Sequence, residues 1–157
     1  MDTINLDEKT NAVLGELDHL NSLIGLAKSC IPTEKHKKLL TSIQNDIFTL
    51  QAHIASPDAI PYLPLQHIFS LQEETYDIES RLPQLHHFII PEGIPAACLL
   101  HCCRTQARSI EQTQKGYLTR PTFLAKYMDR LACLLFAIAR EVNQEENVPE
   151  RPPVYTV

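Results

Sequence analysis

Where proline and glycine fall constrains this chain more than any other feature. The 157 residues include 11 Pro but only 4 Gly, and the breakers are clustered. Pro32, the group Pro57, Pro61 and Pro64, then Pro83, residues 91–95 and residues 116–121 leave five uninterrupted segments. Proline cannot sit inside a helix without breaking it. So few glycines disfavour the positive-φ turns of a hairpin-rich β protein and any glycine-rich phosphate loop.

Inside each segment, apolar residues recur at helical spacing. The first carries Val13, Leu17, Leu20, Ile24, Ala27 and Ile31. Pro32 and Thr33 then close that helix and offer an N-cap to the next. The second carries Leu40, Ile43, Ile47, Leu50 and Ile54 on one stripe. The third is less regular, with Leu65, Ile68, Phe69, Leu71, Thr75, Ile78 and Leu82, and is expected to end near Pro83. A stiff loop over 88–95 leads to a fourth helix, expected from Pro95 in its first turn to Gly116 at its C-terminus. The fifth runs from Pro121 past Arg140 and is apolar over a wide arc: Leu124, Tyr127, Leu131, Leu134, Leu135 and Ile138. No strand alternation or internal repeat competes. The expected fold is all-α, a five-helix bundle in a single domain spanning 1–157, with 147–157 a loose proline-rich tail.

Hydrophobic residues at 44% and charged residues at 21% suit a globular chain. A net charge of −5 argues against a nucleic-acid partner. No segment has the apolar length to span a bilayer, and the start, Met1-Asp2-Thr3-Ile4-Asn5, lacks the character of a secretory or transit signal. The 5 cysteines are an odd number, three of them crowded at Cys98, Cys102 and Cys103. That pattern points to a reduced, cytoplasmic chain with buried thiols.

The fourth segment holds the residues most suggestive of chemistry. Beside its core stripe of Ala96, Leu100, Cys103, Ala107 and Ile110, a second face collects His101, Arg104, Arg108 and Glu111. Two arginines one turn apart repel unless an anion lies between or beside them. Glu111 can satisfy Arg108 within the helix, but Arg104 needs an acid from elsewhere. A solvated face is the bland alternative, and the apolar surroundings favour burial at an interface. Cys98, His101 and Cys102 also fall one turn apart, yet one helix rarely supplies three metal ligands and no second ligand cluster exists. Core packing is the favoured reading, and no metal is expected. His86 and His87 have no partner at ligand spacing, which leaves them a loop or helix-end role. No nucleophile elbow, Walker loop or Rossmann fingerprint is present.

Several stretches resemble, in order, the PduO-type ATP:cob(I)alamin adenosyltransferase family. Leu17-Asp18-His19-Leu20-Asn21-Ser22-Leu23-Ile24-Gly25-Leu26-Ala27 is similar to the family's first helix. Ile43-Gln44-Asn45-Asp46-Ile47-Phe48 is similar to its second, and Phe88-Ile89-Ile90-Pro91-Glu92-Gly93 to its Phe-Ile-Leu-Pro-Gly-Gly loop. Arg104-Thr105 with Arg108 and Glu111 resembles its arginine-rich fourth helix. Tyr127-Met128-Asp129-Arg130-Leu131, then Leu134-Leu135-Phe136 and Ala139-Arg140, resembles its fifth. The likeness covers roughly Leu14 to Arg140, nearly the whole chain.

The resemblance implies a homotrimer with active sites between subunits. It also implies two substrates, a corrinoid (cobalamin) and ATP, and transfer of the 5′-deoxyadenosyl group to Co(I) with release of triphosphate. By the same resemblance, Phe88 is the apolar side chain under the corrin that excludes water and the lower axial ligand. Arg108 approaches the nucleotide phosphates, Glu111 holds Arg108, and Asp129 lies in the nucleotide site. Arg104 pairs with Asp18 across the subunit interface, which supplies the anion Arg104 lacks. A reductase or a corrinoid-using enzyme is an implied partner.

The departures fall on the nucleotide side. The family usually begins with a Thr-Arg-Thr-Gly-Asp-type loop and a nearby Lys, and this sequence starts downstream of both. Ser109 stands where the family has a second phosphate-facing Arg, and Asp129 and Cys133 where it has Asn and Asp. His19 replaces a Glu, and Glu92 a Gly. An incomplete nucleotide site is therefore expected beside a better-kept corrinoid half. The alternative is a non-catalytic member that binds corrinoid or serves as a trimeric scaffold; a generic helical interaction module fits the ordered motifs least.

Overall fold

In a computed structural model the chain is described over residues 7–115 and 122–156. Five α-helices form: α1 (Glu8–Cys30), α2 (Glu34–Ala55), α3 (Leu65–Glu79), α4 (Pro95–Lys115) and α5 (Phe123–Glu145). No strand occurs among the described residues. The expected ends at Gly116 and Pro121 lie outside them. None of the helices is long and apolar enough to cross a membrane.

Local chemistry sets the boundaries. Asp7 caps α1 by accepting from the Thr10 backbone N–H at 2.8 Å, and Thr122 caps α5 by accepting from Ala125 N at 3.0 Å. Thr33 holds the cap position of α2 without making a side-chain cap; its hydroxyl donates instead to Glu145 Oε2 of α5 at 3.0 Å. Helix α3 stops at Glu79, earlier than the proline alone suggests. The chain tightens there into turns, with Arg81 N donating to Ile78 O and Leu82 N to Glu79 O. The residue before Pro83 resists helical angles, so the helix tightens and ends ahead of it.

The apolar stripes meet in one core. Leu17, Leu20, Ile24, Leu40, Ile43, Ile47, Leu50, Ala96, Leu100, Cys103, Ala107 and Ile110 are all buried, and α5 contributes Leu131, Leu134, Leu135 and Ile138. Helix α5 is the central element, packing on α4 and α3, while α1 packs on α4 and α2. The irregular third stripe resolves into a buried face of Ile68, Leu71, Thr75 and Ile78 and an outward one carrying Leu65 and Phe69. Two polar links cross the core. Tyr127 donates from its buried hydroxyl to Asp46 Oδ2 at 2.8 Å, and His67 joins the same carboxylate. On the rim, Gln44 of α2 donates to Asn21 O of α1 at 3.1 Å and accepts from Lys28 Nζ at 2.6 Å.

Candidate active site

The site is assembled where the loop between α3 and α4 meets α5. Pro83 O accepts from Arg140 Nη2 at 2.7 Å, which ties the start of the loop to α5. One turn further along that helix, Asn143 ties down the other end. Its Nδ2 donates to Glu92 O at 2.8 Å, and its Oδ1 accepts from Ile94 N at 3.1 Å. Gly93 lies between these two bonds with φ +123°, and a Cβ there would run into the Asn143 amide. Glycine is required by both backbone and space.

The C-terminal segment lies along the same loop. It has no helix or strand, yet Ile90 N donates to Arg151 O at 2.9 Å, and Val148 N to Asn143 O at 2.8 Å. The Arg151 guanidinium forks onto both oxygens of Glu92, and Arg140 pairs with Glu150. Hydrogen bonds from the Arg151 guanidinium, with its charge, hold the Glu92 carboxyl below its usual pKa.

Between the two fastenings, Phe88 stands 80% exposed. A side chain so exposed gains almost no burial energy from folding. It borders a cavity of ≈ 810 Å³ that is also lined by His86, Arg104, Arg108, Cys133, Phe136 and Tyr155. The cavity therefore combines aromatic side chains with two arginines of α4, and Pro152 and Pro153 of the C-terminal segment line it too. His87 Nδ1 donates to Phe88 O at 2.9 Å, consistent with a loop role for that histidine.

Helix α4 supplies the charged wall. Arg108 Nη1 donates to Glu111 Oε2 at 2.7 Å, the bond its i,i+3 spacing allows, and also to Asp129 Oδ1 of α5 at 2.7 Å. Its Nη2 reaches Cys133 Sγ at 3.8 Å. Burial works against the Arg108 charge, but the two carboxylates outweigh it and raise the pKa. Arg104 differs. Its Nε is buried without a hydrogen-bond partner, and among the described residues it makes no ion pair with Asp18, which is exposed on α1.

The remaining thiol and imidazole groups of α4 go elsewhere. His101 is buried edge-on against Phe136, ring centroids 5.9 Å apart, and burial, with the nearby Arg104 charge, lowers its pKa to about 4. Cys98 Sγ donates to Gly93 O at 3.7 Å, Cys102 is exposed, and burial lifts the Cys103 thiol to about 12.

Sequence reasoning did not single out Asn143, or the pairing of Arg151 with Glu92, or Asp129 as a second carboxylate on Arg108. The only sequence signal for Asn143 is a polar residue continuing the buried stripe of α5.

The chain is similar to proteins of one kind. The family model for cobalamin adenosyltransferase matches residues 3–142. A corrinoid adenosyltransferase of Mycobacterium leprae is 34% identical over 87% of this chain and 80% of its own length. The corrinoid adenosyltransferase PduO of Salmonella typhimurium is 33% identical over 83% of this chain; that match spans 41% of the longer protein. Two solved structures of variants of a PduO-type adenosyltransferase from Lactobacillus reuteri superpose closely. One, complexed with cobalamin and ATP, gives a TM-score of 0.82 at 27% identity over 92% of this chain and 83% of that one. The other, complexed with ATP, gives 0.84 at 26% over 94% and 89%. With a family model spanning nearly the whole chain and relatives above 30% identity, the five-helix bundle and its cavity belong to a member of the cobalamin adenosyltransferase family.

Proposed function

We propose that this chain is an ATP:corrinoid adenosyltransferase, moving the 5′-deoxyadenosyl group of ATP to the cobalt of a reduced corrinoid. The observation that carries the reading is Phe88, exposed beside a large cavity that Arg104 and Arg108 also line. The Lactobacillus variants change a phenylalanine and an arginine separated by the same interval as Phe88 and Arg108.

In this reading each residue has a physical task. The Phe88 ring lies against the corrin face and keeps water and the lower axial ligand off the cobalt, which makes reduction to Co(I) accessible. Co(I) attacks the 5′ carbon, the carbon–oxygen bond to the triphosphate breaks, and the triphosphate leaves with the bonding electrons. Arg108 is the cation that meets the leaving phosphates, and Glu111, buried beneath it, fixes its direction. A reductase or other corrinoid-handling partner supplies the electron. Five unpaired cysteines suit a reducing, cytoplasmic setting.

The site is completed in a homotrimer. Asp18 is exposed on α1 and Arg104 is half-buried on α4, so both side chains can reach a neighbouring copy, and their pairing there supports this assembly. Sedimentation is expected to give a trimer that Arg104→Ala and Asp18→Ala each weaken.

One observation favours a second reading, a non-catalytic corrinoid binder. Asp129 already shares Arg108 with Glu111 and places negative charge where a triphosphate would sit. Anaerobic incubation with cob(I)alamin and ATP, followed optically for the cobalt–carbon bond, separates the two. Product establishes the transferase. Corrinoid binding without ATP binding or product establishes the binder.

A further inference from the structure

We propose that His36, Glu141 and Glu145 form a binding site for a divalent cation of the zinc type, between the start of α2 and the end of α5. His36 lies in the first turn of α2; Glu141 and Glu145 lie one turn apart in the last turns of α5. Residues at i and i+4 share a helix face, so both carboxylates meet α2 while Arg140 and Asn143 serve the loop. One ligand atom from each of the three lies within 4.8 Å of the others, and His36 Nε2 stands 3.1 Å from Glu141 Oε2. Donors bound to one ion at about 2.0–2.2 Å sit roughly 3–3.5 Å apart, so small side-chain rotations close the set.

The chemistry of the donors fits. His36 is 1% and Glu141 8% exposed. Glu141 Oε2 is buried and makes no well-formed hydrogen bond, its nearest polar neighbour being the His36 imidazole nitrogen, and a cation between the two would satisfy both. The other Glu141 oxygen accepts from Arg81 Nε at 2.9 Å, and Thr33 donates to Glu145, so both carboxylates are oriented from behind. The cations nearby, Lys35 and Arg81, share the Asp77 carboxylate, and Arg81 also pairs with the outer Glu141 oxygen, leaving Oε2 for the ion. An imidazole with two carboxylates suits zinc better than magnesium or calcium, which favour all-oxygen sets. A bound ion would pin the start of α2 to the end of α5, and so raise the stability of the bundle.

The test uses the full chain, stripped with chelator under reducing conditions and titrated calorimetrically with Zn²⁺. A single ion per chain and a raised Tm are expected. Glu145 is exposed, so Glu145→Gln should keep the metal-free Tm while binding Zn²⁺ about tenfold or more weakly. Equal binding by wild type and Glu145→Gln, or no binding at all, overturns the proposal. Co²⁺ as a second probe distinguishes the free thiols: bands without thiolate charge transfer support the site, and a strong thiolate band overturns it. Mg²⁺ binding as tight as Zn²⁺ overturns it as well, because the imidazole would then not be a ligand.

Discussion

Helix α5 and the loop it anchors handle their apolar side chains in opposite ways. Along α5, Leu131, Leu134, Leu135 and Ile138 are fully buried, and the helix is surrounded by α3 and α4. In the loop, Phe88 is 80% and Ile90 37% exposed, and the backbone is held by polar fastenings from Arg140, Asn143 and Arg151. Dense burial on the helix supplies stability. A few directional bonds on the loop supply position instead. The contrast teaches that the loop can afford an unburied aromatic ring because its shape does not depend on burying it.

Substitutions test that division, beginning with the largest loss of stability. Leu131→Ala should lower unfolding free energy by about 2–5 kcal/mol, since it opens a cavity in the most enclosed part of the core. Denaturant titration would measure it, and a loss well under 1 kcal/mol would show that α5 is not the stabilising element. Gly93→Ala is the next largest. Positive φ and the Asn143 amide both oppose a Cβ, so a cost of about 1–3 kcal/mol is expected, together with weakened corrinoid binding. If corrinoid affinity survives, the fastening by Asn143 does not set the shape of the loop.

Acid offers a graded probe of the helical side. The folded state holds His101 at a pKa near 4, below its ordinary 6.5, because burial penalises the imidazolium. Between those values the unfolded chain takes up a proton that the folded chain refuses. The His101 contribution should therefore be lost as pH drops from about 6.5 towards 4 and be constant below it, where Asp7, Asp77 and Glu92, held below their usual range when folded, continue the fall. His101→Gln should flatten part of that slope in Tm-against-pH profiles; His36, whose pKa burial also depresses, contributes to what is left. An unchanged slope would mean His101 is not neutral when folded.

The smallest effect on stability is expected at Phe88. Phe88→Ala should change unfolding free energy by no more than about 0.5 kcal/mol, since the ring is exposed. It should nonetheless abolish the spectral change that marks loss of the lower ligand from bound Co(II) corrinoid. An unaltered spectrum would remove Phe88 from the proposed chemistry, and a large loss of stability would erase the distinction between loop and helix.

Much of the bundle was legible in advance because helices are local. Spacing of three and four identified the stripes from Leu17 to Ile138, and an i,i+3 interval put Glu111 beside Arg108. The irregular third segment misled only in part. Leu65 and Phe69 read as core there, yet they face outward, because the axial rotation of α3 turns Ile68, Leu71, Thr75 and Ile78 towards the core instead. Thr33 read as a cap, yet its hydroxyl found Glu145, a distant acceptor that no local pattern announces. The site was legible where it rests on one helix and hidden where it joins several elements.

What the sequence by itself determined was the helices, their buried faces and the family likeness, since each depends on neighbours within a few turns of chain. The tertiary structure alone decided that Asp129 shares Arg108, that Asn143 fastens the loop at Gly93, that Arg151 lies on Glu92, and that His36 meets Glu141. These contacts depend on how each helix is rotated and offset against the next. A periodic pattern sets that rotation only to within about a residue, roughly 100° of arc, whereas a hydrogen bond tolerates a few tenths of an ångström.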